Sequence, residues 1–360
     1  MKKELLLTTL ALLLSIAGQA HNVRETIRLD KDWKFALGHA GDPKKDFGCG
    51  TEYFNYLTKA NSIHNVGPYS SKFDDSTWQE VSVPHDWVTT LPYAREASHS
   101  HGYKTVGYKY PDTSIGWYRK TIKIPASDLG KRLMLRFDGI FRNARVWFNG
   151  FYMGTEPSGY VTQIYDITPY IKYGEDNLIC VRADATLEEG WFYEGAGIYR
   201  DVWLEKSAEV SVVPFGTFVY AELKDAYSEA KLKIETEVSN SSLKPQLCEV
   251  AQRLLDADGN EIARSTATTL GLKSKETVTT KQSISISKPH LWSTTDPYLY
   301  KVETTISQDG KIIDVHTTTT GIRDIAFSSK IGFLLNGKSL KLKGVNMHQD
   351  HAGVGSAIPD

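Results

Sequence analysis

Helical periodicity is what this 360-residue chain most lacks. Beyond the first twenty residues no stretch sustains apolar residues at 3.6-residue spacing, so the chain reads as β-structure throughout. Cysteine is scarce: Cys49, Cys180 and Cys248 are far apart in the chain. That spacing excludes a disulfide framework, leaves at least one unpaired thiol and predicts buried spectator thiols. No Lys/Arg-rich run or basic stripe occurs, which removes nucleic acid from the expected partners. No apolar run reaches the roughly 20 residues that a membrane span requires. The longest, residues 5–17, follows Lys2 and Lys3 and precedes Gly18-Gln19-Ala20. This is the pattern of a secretory signal peptide cleaved near Ala20, and no Cys stands there to take a lipid. The expectation is a secreted protein, periplasmic or extracellular, with no membrane span. Without the two lysines and one glutamate of that leader, 40 basic and 42 acidic side chains remain, a formal charge of −2.

Aromatic residues are plentiful, with eight Trp and nineteen Tyr. An all-β protein needs bulky in-facing side chains, so most of these are expected in the core, and only a ring in a loop is free to stack on a ligand. From Trp117 onward strand follows strand. "WYRKTIKI" alternates; "RLMLRFDGI" puts Leu133, Leu135 and Phe137 on one face; "ARVWFNGFYMG" is a hairpin turning at Asn149-Gly150. Long connections at about 38–72 and 89–115 are rich in Gly, Ser, His and Tyr, the kind of loop that carries binding residues on a rigid sandwich. They could equally be cover for sheet edges.

Near residue 208 the composition shifts to Thr, Ser, Lys and Val. Strands at regular spacing, turning at Asp258-Gly259-Asn260 and Asp309-Gly310, suit an immunoglobulin-like sandwich. No Cys…Trp…Cys pattern makes it an antibody-type domain. After Gly321 comes "GFLLNGKSLKLKGVNMHQDH", with a hairpin at Asn336-Gly337 and a predicted short strand "LKLKGVN" that runs into a polar cluster. A strand ending in His and Asp is how a barrel enzyme presents side chains at its catalytic face.

Several chemistries can be weighed on residues alone. His348, Asp350 and His351 lack the His-Glu-x-x-His spacing and would be an incomplete zinc shell. His99 and His101 read as a solvated loop. No Gly-x-Ser-x-Gly occurs, and "EGAGIYR" lacks the third glycine and the following helix of a phosphate loop. The stretch "ADATLEEGWFYEGAGIYRDVW" places Asp184, Glu188, Glu189 and Glu194 beside Trp191, Phe192 and Tyr193. Acceptors for hydroxyls next to π faces suit a sugar; the bland alternative, a solvated acidic loop, fits Glu188 and Glu189 better.

Taken in order, "STWQEVSVPHDW", "GWYRKTI", "LRFDGIFRNARVWFNGFYMG", "EGAGIYRDVWL", "PHLWSTTDPYLYKVET", "GIRDIAF" and "FLLNGKSLKLKGVNMHQDHAGVG" closely resemble the non-catalytic front half of family 2 glycoside hydrolases, the β-galactosidase and β-glucuronidase group. The resemblance runs from about Trp33 to the end. It implies an all-β chain: a jelly-roll, sugar-binding-like domain over 21–208, an immunoglobulin-like β-sandwich over 209–322, and the first strand of a TIM barrel within 323–360. In that family the barrel hydrolyses a terminal β-glycoside with retention. Carried over residue by residue, the family's Asn-x-His motif falls on Asn346 and His348, with Asp350 close by. The Asp that reaches the sugar from the end of a jelly-roll strand matches Asp184. Asp86 in "PHDW" matches a further recurring position. By the resemblance these residues bind substrate and do not move protons.

The family's acid/base and nucleophile glutamates lie on later barrel strands. A barrel takes about 250 residues, whereas residues 323–360 are all that follow the second sandwich here. The expectation is therefore the N-terminal part of a secreted exo-β-glycosidase of β-galactosidase type, with no catalytic residue in this chain and no turnover alone. The alternative is a stand-alone carbohydrate-binding or scaffold protein. The expected partner is a terminal β-galactoside or related glycan. No metal or cofactor is expected in this chain, and the resemblance leaves room for a divalent or monovalent cation and a homo-oligomer in the complete enzyme. The front half does not separate galactose, glucuronic acid and mannose.

Overall fold

The computed structural model describes residues 23–49 and 67–359. The expected leader lies outside the described residues. Among the described residues there is no α-helix: strands are joined by turns and short 3-10 segments, the all-β architecture expected from the missing helical period. The chain divides into two compact units.

One unit comprises Thr26–Leu129, Leu133–Glu205 and the tail from Asn346. Its strands are β1 (Glu25–Arg28), β2 (Trp33–Leu37), β3 (Gln79–Val81), β4 (Ile115–Lys123), β5 (Lys131–Phe137), β6 (Ala144–Phe148), β7 (Phe151–Glu156), β8 (Gln163–Asp166), β9 (Asp176–Asp184) and β10 (Val202–Ala208). They form a four-stranded sheet in the order β1-β10-β5-β8 and a six-stranded sheet in the order β3-β2-β4-β9-β6-β7. Leu133, Leu135 and Phe137 of β5 pack with Tyr118, Val146, Phe148, Ile179 and Val181 in one core, so the two sheets form a sandwich. The β6–β7 hairpin turns at Asn149 and Gly150, whose φ values of 51° and 85° are the positive pair a two-residue hairpin needs.

Simple alternation fails on β4 and β9, which are buried on both faces. Trp117, Trp147 and Cys180 point away from the inner core and meet Phe47, Cys49, Tyr69, Phe73 and Trp78 of the long connection after β2. The described residues of that connection therefore cover a sheet face, building a second aromatic core; Trp117 and Trp147 stack at 5.7 Å. All three thiols are free and buried, as their scarcity suggested.

Covering the outer face also buries charge. Arg182 is fully buried and donates from Nε (3.1 Å) and Nη2 (3.0 Å) to Asp46 Oδ2. Asp46 also accepts from Trp117 Nε1 at 2.7 Å. Burial pushes the Asp46 carboxyl up, while Arg182 and Trp117 hold it down.

The other unit is Lys206–Val345, joined by Gly130–Arg132 and, among the described residues, by residues 23–25. Its strands β11 (Val210–Lys224), β12 (Glu229–Asn240) and β16 (Thr277–Ser287) make one sheet. The facing sheet holds β13 (Gln246–Leu255), β14 (Glu261–Arg264), β15 (Thr268–Leu272), β17 (Tyr300–Gln308) and β18 (Lys311–Thr320). Leu232, Ile234, Leu254, Ile284 and Val302 fill the space between them, giving the immunoglobulin-like sandwich. Its buried Asp314 accepts from Arg24 at 2.8 and 2.9 Å and from the Val212 amide at 2.8 Å.

β19 (Ile325–Ser328), β20 (Gly332–Leu335) and β21 (Lys338–Ser339) form a small sheet, with the expected turn at Asn336 and Gly337. The strand expected at 340–346 is not formed: residues 341–350 are all exposed and carry no ladder. A strand needs neighbours to take its N–H and C=O groups, and among the described residues none lies alongside.

Removing Asp46 leaves a guanidinium buried without its counter-ion. Asp46→Ala is expected to lower the unfolding free energy of this unit by about 3–5 kcal/mol, read from the urea midpoint.

Candidate functional site

Two long loops of the jelly-roll unit join edge to edge. The Glu194 amide donates to Ser100 O at 2.7 Å, and the Ser100 hydroxyl donates to Gly190 O. Glu194 turns back into its own loop, accepting the amides of Gly190 (3.0 Å) and Glu189 (3.4 Å). It is 5% exposed, and burial raises its carboxyl. Glu189 stays exposed and pairs with Arg142 at 2.9 Å. The acidic loop is thus divided: Glu189 is solvated, as expected, whereas Glu194 is a structural acceptor.

The histidines divide the same way. His99–His101 is a 3-10 turn capped by Ser98, whose Oγ accepts the Ser100 amide. His99 is exposed, but His101 is fully buried. The reading of a solvated loop fails at His101 because the 187–195 segment folds over it. Burial pushes its imidazole down to about 4, with the main chain of Leu187 and Gly195 opposing. His85, bonded to the Tyr118 hydroxyl at 2.8 Å, is also pushed by burial to about 4.

Asp86 lies beneath these loops, 4% exposed. Oδ1 accepts the amides of Val88 (3.1 Å) and Ala196 (3.0 Å). Oδ2 accepts the Tyr193 hydroxyl (2.8 Å), the Ser356 amide (3.0 Å) and the Ser356 hydroxyl (3.1 Å). A Cβ on Gly195 or Gly355 would stand 2.4 or 2.2 Å from that oxygen, and both have positive φ. Only glycine allows the loop and the tail to close on the carboxylate together.

The tail is thereby seated on the jelly roll. His351 and Gly355 bridge, Ser356 bonds Asp86, and the segment before them faces outward. His348 meets the Phe192 ring at 5.6 Å. Asp350 and His351 line a cavity of about 280 Å³ with Tyr193, Lys104, Tyr93 and Thr89. Lys104 reaches the carbonyls of Leu91 (2.7 Å) and Thr89 (3.2 Å) and sits 3.8 Å from the Tyr93 ring centroid. Asn346 is exposed on the same segment. Asp184, at the end of β9, is held separately: Arg182 Nη1 donates at 3.3 Å, the Thr186 amide at 3.1 Å, and the Thr186 hydroxyl also donates. The structure thus brings His348 and Asp350 to the aromatic loop and puts Asp86 under both. Ser356 and Tyr193 as anchors were missed, and no local pattern marks them. Among the described residues no three His, Cys, Asp or Glu side chains gather as a metal cluster.

Comparison with known proteins identifies this assembly. Residues 28–208 match the family model "Glycosyl hydrolases family 2, sugar binding domain", and residues 212–323 match "Glycosyl hydrolases family 2". The chain belongs to glycosyl hydrolase family 2. It is 36% identical to beta-galactosidase BoGH2A of Bacteroides ovatus over 79% of this chain and 33% of that protein. It is 30% identical to a beta-glucuronidase of Bacteroides fragilis over 98% of this chain and 45% of that protein. A crystal structure of a family 2 member from Bacteroides cellulosilyticus superposes with TM-score 0.76 at 29% identity, covering 92% of this chain and 40% of that one. The chain thus spans about a third to under half of the length of these relatives. Among the described residues no helix is long and apolar enough to cross a membrane.

Two outcomes test the site's construction. Asp86→Asn, with Ser356→Ala as the milder variant, should speed amide hydrogen exchange at 354–357 by about tenfold or more, while β4 and β9 keep their protection, because a hydrogen bond to a charged acceptor is worth roughly 1.5–3 kcal/mol. His101 is neutral when folded near pH 5, whereas an unfolded imidazole is protonated there. Its contribution is complete above about pH 6.5 and is lost as pH falls toward 4, by roughly 3 kcal/mol in total. Raised carboxyls such as Glu194 act in the opposite sense. The His101 part is therefore read as the difference between the stability profiles of the parent and His101→Gln.

Proposed function

We propose that this chain supplies the sugar-gathering front half of a secreted, retaining exo-β-glycosidase acting on terminal β-D-galactosides. The observation that carries the reading is the seating of the 346–356 segment on the jelly roll, which sets His348 against Phe192 and Asp350 beside Tyr193. An imidazole and a carboxylate next to aromatic faces suit the hydroxyls and the C–H face of a pyranose. The galactoside assignment leans on the 36% identical relative, whose name is beta-galactosidase. Asn346, His348, Asp350 and Asp184 are proposed as sugar contacts. Asp86, with five protein donors, is proposed as the anchor of the site. Export rests on the leader-like first twenty residues.

Retention needs two carboxyls about 5–5.5 Å apart, one as acid/base and one as nucleophile. The buried carboxylates here are already engaged: Glu194 with two amides, Asp86 with five donors and Asp46 with Arg182. In this proposal they shape the pocket, and the bond-breaking pair belongs to the barrel that the family resemblance implies.

The 360-residue chain should bind methyl β-D-galactoside, with His348→Ala or Asp350→Ala each weakening binding about tenfold, and should not hydrolyse an aryl β-galactoside. Turnover by this chain that disappears in Glu188→Gln or Glu194→Gln would overturn the assignment of roles. Binding unchanged in both His348→Ala and Asp350→Ala would overturn the site.

A further inference from the structure

Five of the eight tryptophans lie in the cores, but Trp191 is 88% exposed. Leaving a large apolar side chain in water forgoes about 1.5–3 kcal/mol of burial. The loop that displays it is nonetheless firmly built. Glu194 is buried to accept the amides on either side of the Glu189-Gly190 bond, Gly190 O takes the Ser100 hydroxyl, and Ser100 O takes the Glu194 amide. Two loops far apart in sequence are thus joined directly behind the indole. His99, from the second loop, meets the indole ring at 5.7 Å and 69°, edge to face, and leaves most of it open.

The surroundings narrow the choice of occupant. Phe192, next in the chain and 38% exposed, contacts His348, so Trp191 directly precedes the residue that meets the wall proposed for the terminal sugar. Glu189, exposed on the same loop and paired with Arg142, keeps carboxylate charge there, which does not favour an anionic membrane surface. A protein partner would need about 800 Å² of complementary surface per side, which Trp191 with its exposed loop neighbours Leu187 and Phe192 does not by itself supply. An open π face on the loop that meets His348 fits a pyranose ring, which presents C–H groups on its face and hydroxyls at its edge.

We propose that Trp191, edged by His99, is the stacking platform for a second pyranose of a β-linked glycan, adjacent to the sugar held by His348 and Asp350. The inference rests on the site described under Proposed function and adds that this site takes oligosaccharides in preference to simple glycosides.

The test is calorimetric titration of the full chain with β-galactosides and β-glucuronides, each as the methyl glycoside and as a β-linked tetrasaccharide. The parent should bind one tetrasaccharide about tenfold tighter than its methyl glycoside. Trp191→Ala should remove that margin and leave methyl glycoside affinity within about twofold, and Trp191→Phe should keep much of it. The exposed position makes an unchanged unfolding midpoint the accompanying control. If Trp191→Ala keeps the margin, or if the parent shows none, the platform is wrong and the terminal-sugar site stands. If Trp191→Ala loses the margin while His348→Ala and Asp350→Ala change nothing, the platform holds and the terminal-sugar reading falls. A parent that binds no member of either series overturns both.

Discussion

Five donors converge on the carboxylate of Asp86, and three separate stretches of chain depend on it. It caps the turn at Trp87–Thr90, holds the aromatic loop through Tyr193 and Ala196, and receives the tail through Ser356. A buried carboxylate is tolerable only when its lone pairs are occupied. Because these donors sit 107, 110 and 270 residues away, satisfying one side chain forces distant segments into register. Gly195 and Gly355 complete the constraint, since any Cβ would collide with the oxygen they surround.

The same logic recurs where β4 and β9 are buried on both faces. Once the connection after β2 lies over the outer face, Arg182 has no water to solvate it, and Asp46 supplies the missing charge. The pair also extends to the end of the strand, because the remaining arm of Arg182 steadies Asp184 at the end of β9. Both effects fall on β9: its Cys180 is buried in the aromatic core, and its last residue, Asp184, is held by Arg182 and Thr186. The loops in turn are shaped by the burial of Glu194 and His101, polar groups whose enclosure leaves Trp191 and Phe192 on the outside.

Much of this was legible beforehand where the cause is local. Period-two alternation located β5 and its inward Leu133, Leu135 and Phe137, and Asn-Gly or Asp-Gly pairs marked the turns at 149, 309 and 336, because positive φ is a property of those residues themselves. The failures are equally instructive. The segment 340–346 has a strand's pattern but no partner, and a strand is not a local structure. His101 sits in a Ser/Gly-rich stretch that looks solvated, yet another loop covers it. Glu194 resembles its neighbours Glu188 and Glu189 in sequence and differs from them only in what surrounds it.

By itself the sequence determined the all-β class, the hairpins, the order of the two sandwiches and the family, since each follows from residue pattern along the chain. Tertiary structure alone decided which acids are enclosed as anchors, which histidine is dry and which tryptophan faces solvent. Solvation is the physical reason: whether a carboxylate binds a ligand or holds the fold depends on how many donors reach it, and for Asp86 and Glu194 those donors come from packing that no local pattern records.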